Sequence, residues 1–135
     1  MKVVFDTNIL VSALLTPGGV CDQVVRMAVK GALPCALDSR LVAEYEAVLY
    51  SPELPFAPEE PDTLLALLRV RAEVDIAVPL AVRLPHASDR PFLEVARAAG
   101  AVLVTGNPRH FPKSQRAGVT VMGPGELLEH LRQRT

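Results

Sequence analysis

Short, wholly apolar runs alternate along this chain with stretches in which apolar residues recur every three or four positions. The opening run, Val3-Val4-Phe5, is β-branched and aromatic with no polar alternation, the pattern of a strand buried on both faces. Similar runs at 33–37, 101–105 and 119–122 predict three more strands. Residues 74–82 are apolar but contain Pro79, so they read as an edge strand at best. Helical spacing predicts helices over 9–15, 20–30, 39–49, the leucine-rich stretch to Val70 that opens with Glu59, Glu60 and Asp62, 89–99, and 124–132. Gly31 and Gly100 stand at helix C-termini, and Pro52 to Pro61 forms a proline-rich loop. The broad leucine face of the fourth helix suits core packing first and a partner surface second. The alternation implies one α/β domain over 1–135: a mostly parallel sheet with helices on both faces, joined by right-handed crossovers.

Composition narrows the class. Half of the 135 residues are hydrophobic and 21% are charged, which excludes disorder and favours a real core. Cys21 and Cys35 form no disulfide framework and lack zinc-ligand spacing, so both are expected as buried thiols in a reducing cytoplasm. No signal peptide or membrane-spanning run is apparent, and a soluble, cytoplasmic protein with no membrane partner is expected.

The chemistry-bearing residues gather where strands end. Asp6 follows the first strand, Glu44 lies a turn and a half into the helix after the second, and Asp89 opens the helix leading to the third. Asn107 follows that third strand. In open α/β sheets ligands bind outside the carboxyl ends of the strands, so all four are expected at one rim. Two carboxylates about 5 Å apart repel by roughly 3 kcal/mol at an effective dielectric near 20, so three must take up protons or share a cation. Oxygen-only donors point to a hard ion, Mg²⁺ or Mn²⁺, and to chemistry at a phosphate. Each residue also has a plainer reading. Asp6, Asp38 and Asp89 suit helix N-caps, Glu44 suits a half-buried ion pair with an arginine, and Asn107 suits a turn.

Charge adds a direction. The chain carries −1 overall, yet residues 83–116 hold six basic side chains (Arg83, Arg90, Arg97, Arg109, Lys113, Arg116) against Asp89 and Glu94. This segment is about +4 and flanks the acidic rim, as a phosphate-backbone track would or as a solvated mixed surface would. Tyr45 and Phe111 are the aromatic candidates for base stacking.

These residues carry a family resemblance. Val3 to Leu14, reading VVFDTNILVSAL, resembles the first motif of PIN-domain nucleases, and Leu41-Val42-Ala43-Glu44-Tyr45 resembles the second. Asp89 to Ala96, followed by Leu103-Val104-Thr105-Gly106-Asn107, resembles the third and fourth, and a subgroup with Thr-Gly-Asn and a later His-Phe-Pro, here His110 to Pro112, is most similar. The resemblance spans essentially the whole chain. It implies a PIN-like, Rossmannoid α/β/α fold and a Mg²⁺- or Mn²⁺-dependent ribonuclease, with catalytic, metal-binding Asp6, Glu44 and Asp89 and a further metal contact at Asn107. Asn8, Thr105, Arg90 and Arg109 stand beside these motifs as substrate-binding candidates. It also implies a bacterial or archaeal toxin of a toxin–antitoxin pair, homodimeric and neutralised by a small antitoxin protein. Two departures stand out: Asn107 replaces an acid found in many relatives, and His86-Ala87-Ser88 replaces a segment often richer in Asp. The alternatives are a weakly active or non-catalytic binding module of the same fold, or a Rossmannoid phosphatase or phosphotransferase using Asp6 as nucleophile.

Overall fold

A computed structural model describes residues 1–74 and 77–133. The chain runs β1 (Val3–Phe5), α1 (Thr7–Leu15), α2 (Val20–Val29), α3 (Ser39–Leu49), α4 (Glu59–Arg71), α5 (Arg90–Ala99), β2 (Val102–Val104), β3 (Val121–Met122) and α6 (Pro124–Gln133). The sheet order is β1-β2-β3 and every pairing is parallel, with Val4 opposite Leu103 and Leu103 opposite Val121. This is the α/β/α architecture that the alternation of runs implies. Val3, Val4 and Leu103 are wholly buried, as strands covered on both faces must be. Among the described residues no single helix is long and apolar enough to cross a membrane.

Local chemistry sets the element ends. Asp38 caps α3 by accepting from the Arg40 and Leu41 N–H groups, both at 3.0 Å. Acids fill the first turn of α4 and Arg69 and Arg71 its last, matching the helix dipole. Gly31 follows α2 with φ +83°, and a Cβ there would come within 2.8 Å of the Arg71 guanidinium. Glycine is the residue that satisfies both demands. On α4, Leu64, Leu65 and Leu68 join the core while Leu67 and Val70 face outward, so core packing takes most of its leucine face.

Two expected strands are reduced. Residues 33–37 make single-residue parallel bridges, Cys35 with Val3 and Ala36 with Glu73, rather than a full strand. Pro34 accepts from Val3 N–H through its carbonyl but has no N–H of its own to extend the ladder. Of 74–82, residues 75 and 76 lie outside the described residues, and 77–82 form no ladder. Leu80 N–H donates instead to Glu94 Oε2 at 2.8 Å, a side-chain acceptor that takes the place of a neighbouring strand. Cys35 is buried as expected, whereas Cys21 is only half-buried. Burial pushes the Cys35 thiol up to about 11.

Candidate functional site

The carboxyl ends of β1 and β2 are stitched together by polar side chains. Asp6, 5% exposed, leaves β1 and enters the first turn of α1. One of its oxygens accepts from Thr7 N–H at 2.8 Å. The other accepts from Thr105 Oγ1 at 2.8 Å and more loosely from Asn8 Nδ2 at 3.4 Å. Thr105, fully buried beyond β2, also accepts from Asn107 N–H at 3.0 Å, and Asn8 Oδ1 accepts from Gly106 N–H at 3.1 Å. The turn after β2 is thereby fixed to the turn after β1. Asp6 is at once helix cap and site wall.

Asp89 ends a 3-10 turn (Ala87–Asp89) that runs into α5. Its backbone is already helical and its side chain caps no N–H, so the capping reading does not hold for it. His110 Nδ1 lies 3.2 Å from Asp89 Oδ2, an ion pair when the imidazole is protonated, but the groups are not aligned for a hydrogen bond. That buried oxygen is left without one. Glu44 faces the same space from α3, and among the described residues no hydrogen bond or ion pair engages its carboxylate, so the arginine pairing expected of it is absent. Asp6, Glu44, Asp89, Asn107 and His110 line one cleft of about 330 Å³.

The electrostatics of the two aspartates are set mainly by burial. Burial raises the Asp6 carboxyl above its ordinary range, opposed by the Thr105 hydroxyl and reinforced by the charge of Asp89. Burial raises Asp89 as well, opposed by His110 and His86, whose rings lie 4.5 Å apart.

Comparison with known proteins decides the family: the PIN domain profile matches residues 2–109. The chain belongs to the PIN domain family. A similar solved structure is VapBC2 from Rickettsia felis, bound to a DNA fragment from their promoter. It is 21% identical, with a TM-score of 0.62, and the match covers 91% of this chain and 98% of that one. At that identity the likeness speaks for the fold. No curated protein matches the chain.

Within this PIN domain the other expected contact residues fall in different places. Asn8 lines the cleft, whereas Thr105 stands behind Asp6, buried and out of a substrate's reach. Arg90 and Arg109 are not among the cleft-lining residues. Arg90 Nε is buried without a partner and Arg109 is exposed. Part of the basic segment is structural: Arg116 Nε donates to the Phe111 carbonyl at 2.8 Å, and Arg97 donates to that of Ala117. Tyr45 and Phe111 are both buried, which removes them as base-stacking platforms. Tyr45 instead donates its hydroxyl to the Phe5 carbonyl at 2.6 Å and tilts against Phe92. His110 also lines the cleft; the sequence marked it only as the start of the His-Phe-Pro that follows Thr-Gly-Asn, five residues past Thr105, and gave it no role at the site.

The donors suit a hard cation in kind: three carboxylates and an amide oxygen around one cleft, one buried carboxylate oxygen without a hydrogen bond, and two aspartates resisting ionisation. Among the described residues, though, no three Asp, Glu, His or Cys side chains are gathered tightly enough to enclose an ion.

Proposed function

We propose that this PIN domain is a Mg²⁺- or Mn²⁺-dependent ribonuclease that hydrolyses RNA phosphodiester bonds. The observation that carries this reading is the convergence of Asp6, Glu44 and Asp89 on one cleft at the carboxyl end of a parallel sheet. Asp6 and Asp89 would hold the ion, with Glu44 and the Asn107 amide at its open side. When bound, a divalent ion supplies Lewis acidity toward a water and a phosphoryl oxygen. Thr105 and Thr7 N–H keep Asp6 oriented into the cleft, and Asn8 ties that turn to Gly106. His110 stands 3.2 Å from Asp89 and would offer a cation near an RNA phosphate when protonated. From the resemblance of its motifs we further propose that it acts in the cytoplasm as a homodimeric toxin restrained by a small antitoxin protein.

The test is cleavage of a mixed RNA pool with Mn²⁺, with Mg²⁺ and after chelation. Activity should require the ion and fall in Asp6→Asn, Glu44→Gln and Asp89→Asn, with folding retained by circular dichroism. Three variants that cut RNA as fast as the parent would sink the assignment. A second reading, a PIN-fold module that binds without cutting, is favoured by Asn107 and by the open spacing of the acids. It predicts negligible thermal stabilisation by Mn²⁺, whereas a working site is stabilised according to its occupancy.

A further inference from the structure

Glu94 is a carboxylate with no place in the cleft, yet it is 4% exposed in the middle of α5. Burying such a charge is costly unless it is paired and hydrogen-bonded, and both of its oxygens are. Oε1 accepts from Arg40 Nη1 at 2.7 Å and Oε2 from Leu80 N–H at 2.8 Å. Arg40 belongs to the first turn of α3, and its Nε also donates to Asp38 Oδ2 at 3.0 Å, the same Asp38 that caps the helix. The run Asp38–Arg40–Glu94 therefore fixes the start of α3 to the middle of α5.

Its location gives the pair a consequence. Glu44 lies four residues beyond Arg40, one turn up the same side of α3. Asp89 lies at the head of α5, five residues before Glu94. The two helices that carry these acids also meet through the tilted rings of Tyr45 and Phe92, whose centroids are 6.1 Å apart. Apolar contact of that kind tolerates sliding, whereas a charged hydrogen bond with a buried end defines a distance.

We propose that Arg40 and Glu94 are positioning residues: an ion-pair strut, buried at its Glu94 end and exposed at its Arg40 end, that sets the separation of α3 from α5, and so of Glu44 from Asp89. The catalytic consequence rests on the ribonuclease reading; the geometric one does not. Losing the strut would let α3 drift and leave the cleft with too wide a span between its acids.

Two measurements on the full chain test this. The first is Mn²⁺ binding by calorimetry, with cleavage kinetics alongside. Arg40→Ala should weaken Mn²⁺ binding by about tenfold and lower kcat while KM for RNA holds, and Arg40→Lys should recover part of both. Val24→Ala, in the core of α2, serves as a destabilised control that keeps the parent's affinity. Equal affinity in Arg40→Ala and the parent, or an equal loss in Val24→Ala, overturns the proposal. The second measurement needs no metal. Nitroxide labels on Glu46→Cys and Ala98→Cys, both exposed, in a Cys21→Ser background, should give one narrow distance that broadens on adding Arg40→Ala. An unchanged narrow distance refutes the strut. If the parent binds no Mn²⁺, the ribonuclease reading fails and the label distances still decide the strut.

Discussion

The two walls of the cleft are held by different means. On the sheet side, Asp6 accepts from Thr7, Thr105 and Asn8, and the turns after β1 and β2 are bonded to each other. On the α3 side, Glu44 projects without a hydrogen bond among the described residues, and its placement depends on where the whole helix sits. One carboxylate is preset by its immediate neighbours. The other is placed at a distance, through Tyr45 on Phe5 and Arg40 on Glu94. On the proposed ribonuclease reading, such a site would keep one fixed anchor for an ion and one side chain free to adapt to RNA.

The comparison breaks most visibly in catalysis. Asp6→Asn removes the anchor and should cost more than about 100-fold in kcat, beyond the 10–100-fold typical of groups that merely support a ligand. Glu44→Gln should cost less, because water can take the place of a single adaptable oxygen on a hydrated ion. Single-turnover cleavage at saturating Mn²⁺ measures both. Equal losses would mean that the two walls are equally preset. Next in size is Thr105→Val, which deletes the hydroxyl behind Asp6 and should weaken Mn²⁺ binding by about 10–100-fold. Calorimetry reads that directly. Among the described residues no side chain hydrogen-bonds Glu44 itself, so its support comes through Arg40, at the smaller loss of about tenfold.

How much of this was legible in the sequence follows the same division. β1, α3 and its Asp38 cap, and Gly100 ending α5 in the left-handed conformation are local matters, and local patterns predicted them. Asp6 looked equally like a cap and a site acid because it is both: one oxygen caps α1 while the carboxylate lines the cleft. What local patterns could not reach was pairing across the fold. An arginine partner was the plainer alternative for Glu44, but the arginine–glutamate pair in the fold joins Arg40 to Glu94, 54 residues apart. Tyr45 and Phe111 looked available for stacking because composition says nothing about which side of a helix or turn the core will claim. The strand over 33–37 shrank to bridges because, among the described residues, its outer neighbour pairs with it at Glu73 alone.

A smaller effect probes the seam between the walls. Tyr45→Phe removes the hydroxyl that reaches the buried Phe5 carbonyl and should cost about 1–2 kcal/mol, the range for a lost buried hydrogen bond. Urea unfolding should show a lower midpoint with an unchanged slope. No loss of stability would mean that α3 is held to β1 by packing alone.

The smallest effect concerns the burial of the two aspartates in the metal-free protein. Burial raises both Asp6 and Asp89 above the ordinary value of 3.8, so each binds its proton more tightly folded than unfolded. The stability this contributes is complete below that ordinary value and is lost as pH rises through the raised folded values. The double variant Asp6→Asn/Asp89→Asn has no such protons to lose. In chelator its thermal midpoint should pull ahead of the parent's by a few degrees as pH rises above the ordinary carboxyl value and through the raised folded ones, and the gap should close again toward acid. Saturating Mn²⁺ should reverse the order at neutral pH by stabilising only the parent. A gap that ignores pH would place the strain in packing around Asp6 and Asp89 rather than in their charge.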